Sequence, residues 1–237
     1  MRNLKNWDSK NWLSSDKYIA CLSHFLKKKV NFSKEMKILD VGCGRGKIIS
    51  TLSKQYKMKN LPLGIDIVKH KDTANRIRFI KTSALKYLKK NKSKFDIILF
   101  KQSIHFFKLA EIKKILKISK NNLTPKGKIL ILALHPEQNQ WPLFKVFKTK
   151  LTKSLKKDKI ILNLIKLNFK KYKINYFIFK VKITQDSYFQ MIKNRFTSCL
   201  LNLSFKELNT GIEEIKKKYK KKLMFHDKLI CISYKKK

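Results

Sequence analysis

From Met36 to Val41 the chain is a short apolar run. It passes through Asp40-Val41-Gly42-Cys43-Gly44-Arg45-Gly46, and a helical pattern begins at Lys47. A strand that enters three alternating glycines and leaves as a helix fits few architectures. Glycine takes positive φ without a steric penalty and lets the backbone approach a ligand closely. The following helix start presents free N–H groups and the positive end of its dipole. Asp66 lies 20 residues beyond Gly46, at the end of the next apolar stretch, residues 61–68. A carboxylate there accepts hydrogen bonds from ribose hydroxyls. A glycine triplet alone would be only a turn, and Asp66 only a surface acid. The strand-loop-helix context with the acid in register makes a nucleotide-type site the better reading.

The alternation continues to about residue 135. Residues 7–29 read as one or two helices, with Asp16 as a cap and Ile19, Leu22, Phe25 and Leu26 at helical spacing. Helices are expected at 47–56, 83–90 and 109–120. Strands are expected at 78–80, 95–100 and 128–134, the last introduced by the turn Thr124-Pro125-Lys126-Gly127. Nearly all-apolar strands between helices imply a parallel sheet covered on both faces, an α/β doubly wound fold. Beyond His135 the pattern loosens. Helices are expected at about 141–156 and 158–170, a long strand at 174–183, helices at 187–193 and 205–221, and a last strand at 229–234. The last two strands can pair antiparallel at the sheet edge. A chain of 237 residues suits one domain. It divides into N-terminal helices (1–35), a binding core (36–135), a helical insertion (136–172) and a sheet edge (173–237).

Charge limits the partners less than its size suggests. The formal net charge is +43, but only five of the 58 basic residues are Arg, and the Lys are spread along the whole chain. Arg supplies the bidentate forks that read phosphates and base edges. Abundant Lys, Asn and Ile together point to drift in composition, since solvated Lys faces are tolerated at little cost. No apolar stretch approaches the roughly 18 residues of a membrane span. The first residues lack an apolar leader, so a cytoplasmic location is expected. Cys21, Cys43, Cys199 and Cys231 match no zinc or disulfide spacing, and no metal site is expected.

Residues 38–46, Gly64-Ile65-Asp66, Phe95 to Phe107 and Leu123 to Leu134 together resemble the class I S-adenosylmethionine-dependent methyltransferases, over roughly residues 36–135. The spacing Asp-x-Gly-x-Gly-x-Gly differs from the G-x-G-x-x-G of nicotinamide dehydrogenases. The resemblance implies a seven-stranded, mostly parallel sheet with an antiparallel last strand, and S-adenosylmethionine as cofactor. By it, Gly42, Cys43, Gly44 and Gly46 hold the methionine part, and Asp40 orients the loop. Asp66 binds the ribose and Ile67 packs on the adenine. Ser83 and Ala84 lie on the adenine side, and Lys101 ends the fourth strand within the site. Many relatives carry an acid where Ser83 stands. Asn194-Arg195-Phe196-Thr197-Ser198 is similar to the trans-aconitate methyltransferase branch.

The acceptor is less defined. No Asn/Asp-Pro-Pro-Tyr and no Pro-Cys follow the fourth strand, which disfavours base-modifying classes. A small-molecule acceptor is expected, a carboxylate being one candidate. An RNA methyltransferase and a non-catalytic binding protein are the alternatives, and the oligomeric state is left open. His105 sits just past the fourth strand, at the carboxyl edge where ligands bind in open α/β sheets. It is a candidate general base, with packing beside the cofactor as the plainer role. His135 has a similar, weaker claim, and His24, His70 and His226 read as surface or helix residues. Trp7 and Trp12 are candidates for a lid or for hydrophobic anchoring, and Trp141 for the acceptor pocket or the core.

Overall fold

The computed structural model describes residues 11–138 and 140–237. Trp7 lies outside them. One sheet contains β1 (Ile38–Val41), β2 (Leu63–Asp66), β3 (Arg78–Lys81), β4 (Phe95–Lys101), β5 (Leu123–Leu134), β6 (Lys173–Thr184) and β7 (Lys222–Lys235). Their spatial order is β3-β2-β1-β4-β5-β7-β6. Strands β1 to β5 run parallel, and β7 is antiparallel to both β5 and β6. The mostly parallel, doubly wound sheet with an antiparallel last strand is therefore present. The chain steps from β1 outward to β2 and β3, then returns across β1 to β4. That reversal leaves a crevice at the carboxyl ends of β1 and β4, where open α/β sheets bind ligands.

Seven helices cover the sheet among the described residues: α1 (Asp16–Lys27), α2 (Lys47–Gln55), α3 (Ala84–Lys90), α4 (Leu109–Asn121), α5 (Lys145–Asn168), α6 (Gln185–Lys193) and α7 (Phe205–Lys218). Side chains alternate across each strand and so feed two cores. Ile38, Ile97, Leu99, Leu130 and Cys231 pack with α1, α2, α6 and α7. Leu39, Val41, Ile98, Phe100 and Ile129 pack with α3 and α4 on the other face. No helix among the described residues is long and apolar enough to cross a membrane.

Several boundaries differ from the sequence reading, each for a local reason. Helix α1 is capped by Ser15, whose Oγ accepts the Tyr18 N–H at 3.3 Å, and not by Asp16. Asp16 falls in the first turn, where a carboxylate favours the helix dipole. The turn expected at 124–127 lies inside β5, because the register jumps from Phe95↔Leu123 to Ile97↔Lys128 and the intervening residues bulge. The two helices expected at 141–156 and 158–170 are one, α5; no Gly or Pro interrupts it, so nothing ends it at residue 157. Its first half sends Phe147 and Leu151 into one core, and its second half sends Ile161, Leu162 and Ile165 into the other. Helix α5 thus crosses the carboxyl edge of the sheet.

Helix α7 packs with its only glycine against Phe144. A Cβ built on Gly211 would lie 2.4 Å from the Phe144 ring, which is itself buried. Gly211→Ala should therefore lower unfolding free energy by about 1–3 kcal/mol despite alanine's better helix propensity. Urea unfolding measures this, and a stabilised variant would show that the two elements separate easily.

Candidate active site

All eleven candidate residues border one cavity of about 370 Å³ at the carboxyl ends of the strands: Asp40, Gly42, Cys43, Gly44, Gly46, Asp66, Ile67, Ser83, Ala84, Lys101 and His105. The volume suits a small-molecule site. The glycine loop forms its floor. Gly42, Gly44 and Gly46 all have positive φ, at 74°, 54° and 69°. A Cβ on Gly42 would also lie 2.4 Å from the Ser103 Cβ, and one on Gly46 2.3 Å from Ile77. Gly44 is different. Nothing lies within 4 Å of its missing Cβ, so bare backbone faces open space. Gly46, in the left-handed region, is the N-cap of α2.

Asp66, at the end of β2, fixes the loop. Its Oδ2 accepts the Gly44 N–H at 2.9 Å, and its Oδ1 accepts the Val68 N–H at 3.0 Å. Each carboxylate oxygen retains acceptor capacity for a ligand hydroxyl. Ile67 beside it is half exposed. Asp40 is buried, and its Oδ1 has no hydrogen-bond partner among the described residues. Burial pushes its pKa up to about 7, with Lys101 lowering it and Asp66 raising it. An orphaned buried acid suits a bound cationic group, and the open glycine face lets a ligand approach the backbone closely. Ser83 is committed locally: it caps α3 by accepting the Lys86 N–H at 3.4 Å.

A methyltransferase domain model matches residues 32–195, well over half of the chain. The chain belongs to the methyltransferase domain family. No curated protein sequence matches it. Among solved structures it is similar to a protein from Anabaena variabilis assigned as a methyltransferase of an antibiotic biosynthesis pathway. That match has 12% identity and a TM-score of 0.62 over 89% of this chain and 95% of the other. A SAM-dependent methyltransferase from Archaeoglobus fulgidus matches at 17% identity, TM-score 0.54, over 92% and 94%. A phosphoethanolamine N-methyltransferase from Haemonchus contortus matches at 14% identity, TM-score 0.54, over 95% of this chain and 58% of the other. These matches give the Rossmann-like methyltransferase fold. They give no support to the trans-aconitate branch.

The far end of the cavity in this methyltransferase domain comes from later elements. His105 lies on a short 3-10 turn after β4 and lines the cavity. Burial, then Lys157, lowers its pKa to about 4, so the imidazole is neutral near pH 7. Trp141 lines the cavity and is also buried in the core, so both of its candidate roles hold geometrically. Trp12 is no lid: it is 4% exposed and packs against Trp141, Phe196 and Phe225 at 4.9–5.3 Å between ring centroids. His70 is buried and borders the cavity, not the surface, whereas His24 is exposed and His226 half-buried. His135 accepts the Glu137 and Gln138 N–H groups at its Nδ1, at 3.2 and 3.1 Å, and so shapes the turn after β5.

Sequence reasoning missed three contributors. Ser103 donates from Oγ to the Val41 carbonyl at 2.6 Å, tying β4 to the loop. Gln102 before it holds a φ of 52°, a strained value for a non-glycine residue. The third is the wall made by Leu151, Ser154 and Asp158 of α5 with Phe196 to Cys199. The only hint of it in the sequence is that Asp158 is the sole acid of a Lys-rich helix.

Proposed function

We propose that the chain is a cytoplasmic enzyme that transfers the methyl group of S-adenosylmethionine to a small-molecule acceptor. One observation carries this reading. A single cavity joins the glycine loop, Asp40 and Asp66 to His105 and the α5 wall, and it is poor in bases within a strongly basic chain. Four of the 15 acids border it (Asp40, Asp66, Glu111, Asp158), against three of the 58 bases (Arg45, Lys47, Lys101). Exposed Lys lie instead on every side, as Lys113 on α4, Lys148 on α5, Lys180 on β6 and Lys217 on α7. A cavity so poor in bases gives a polyanion little to bind. The Archaeoglobus relative is SAM-dependent and the Haemonchus relative holds S-adenosylhomocysteine, which supports the same cofactor here.

When bound, S-adenosylmethionine supplies an electrophilic methyl group on a cationic sulfur. The chain's residues do the rest. The loop backbone and the α2 N-terminus would hold the methionine part, Asp66 the ribose hydroxyls, and Ile67 with Ala84 the adenine. Asp40 places negative charge near the cationic end. His105, neutral and sheltered, accepts a hydrogen bond from the acceptor at a ring nitrogen and orients it. Alignment and exclusion of water then carry most of the rate.

Labelled S-adenosylmethionine incubated with cell extract split into RNA, protein and small-molecule fractions tests the reading. Label should enter the small-molecule fraction. His105→Ala should lower turnover roughly 10–100-fold while cofactor affinity stays within about twofold. Stoichiometric, site-specific RNA methylation at physiological salt, lost in Asp66→Ala, would overturn the small-molecule reading. RNA binding at low salt decides nothing, because a chain of charge +43 binds polyanions by counterion release.

A further inference from the structure

Asp158 is the unexplained group of the site. It is 7% exposed, borders the cavity, and its Oδ1 has no hydrogen-bond partner among the described residues. Leu151 and Ser154 share its face of α5, seven and four positions earlier. Trp141 and Phe196, both buried, and the segment Thr197–Cys199 line the cavity with them. The hydroxyls and the Cys199 thiol are neutral; burial pushes that thiol's pKa up. Lys157, the neighbour in sequence, sends its Nζ to the His105 carbonyl at 3.2 Å. A buried carboxylate left without a partner is costly, and at a pH where it is ionised a group that brings hydrogen-bond donors or positive charge relieves that cost.

The geometry points to Asp158 as the acceptor-recognition residue, holding the amino group of an acceptor whose body is apolar and about the size of one aromatic ring. This deepens the methyl-transfer reading and rests on it. Burial pushes the Asp158 pKa up to about 6, against the opposing pull of Lys157, so the carboxylate is mostly ionised near neutrality and can pair with an ammonium. A carboxylate acceptor, one candidate from the sequence, would meet a like charge there. The apolar walls, Leu151, Trp141 and Phe196, suit a ring, and His105 completes the polar set.

Benzylamine and benzoate, which share a ring and differ in charge, serve as probes. Their binding to the full chain is measured by NMR titration near pH 7.5, with and without saturating S-adenosylhomocysteine. Benzylamine should bind about tenfold or more tightly than benzoate. Asp158→Asn should remove about tenfold of the benzylamine affinity and leave S-adenosylhomocysteine binding within about twofold. The variant should also melt at the same or a higher temperature, since it removes an unpaired buried charge; Asp158→Ser repeats the test with a smaller side chain. Equal binding of the two probes, tighter benzoate, no benzylamine binding, or a preference retained in both variants overturns the proposal. Failure of S-adenosylhomocysteine to bind the native chain instead counts against the methyl-transfer reading, and the probe comparison without it still decides the role of Asp158.

Discussion

Asp66→Ala will bind S-adenosylmethionine on the order of 100-fold more weakly than the native chain. The residue does two things at once. Its carboxylate holds the glycine loop through the Gly44 and Val68 N–H groups, at 2.9 and 3.0 Å, and in the proposed site it accepts the ribose hydroxyls. Hydrogen bonds to a charged group are worth about 1.5–3 kcal/mol each, and losing the loop contact compounds the loss of ligand contact. Calorimetry reads the effect directly. Gly44→Val should act as strongly by a different route. It forces a β-branched residue to a φ of 54° and fills the open space over the loop. Unchanged affinity in both variants would remove the cofactor assignment altogether.

The second large effect is on stability. Asp40→Asn should make the ligand-free protein more stable at pH 8 by up to roughly 4 kcal/mol, with little gain at pH 4.5. In the unfolded chain the carboxyl titrates near 3.8; in the native chain burial moves it to about 7. Between these values the folded state keeps a proton that the unfolded state has lost. The contribution of Asp40 to stability is therefore fully present below pH 4 and disappears as pH rises through 7. A neutral Asn is free of that dependence, so the difference between variant and native chain widens with pH. Denaturant unfolding at the two pH values measures it, and a gap that does not change with pH would rule out a strained carboxylate. Cofactor affinity should move the other way. A cationic ligand favours ionised Asp40, so native affinity should fall by up to about tenfold per pH unit below 7, with proton release detectable by calorimetry in two buffers.

The glycine loop and Asp66, which the structure brings to one cavity, were readable because their requirements are written in backbone terms. Three alternating glycines at positive φ and an acid one strand later identify themselves by spacing alone. The parallel sheet was readable for a similar reason, since strands buried on both faces leave continuous apolar runs. The acceptor half follows no such rule. Helix α5 looked like two helices because it contacts two cores, so its apolar pattern shifts midway although its backbone never breaks. Asp158 is one acid in a Lys-rich stretch with nothing in the sequence to show its depth; only the fold shows that it is buried. His70 was misplaced, and Trp12 was left between a lid and an anchor, because an aromatic or imidazole ring reports its type in the sequence but not its depth.

Helix α5 carries Leu151, Ser154 and Asp158 to the cavity from ends anchored in opposite cores, and the remaining wall, Phe196 to Cys199, begins just past residue 195, where the family match stops. The proposed donor and acceptor sites therefore lie in different stretches of chain. With the loop as the proposed donor site, substitutions on one turn of α5 would redirect the enzyme to a new compound without disturbing that loop. On that arrangement, likeness in the glycine loop alone is a poor guide to shared substrates.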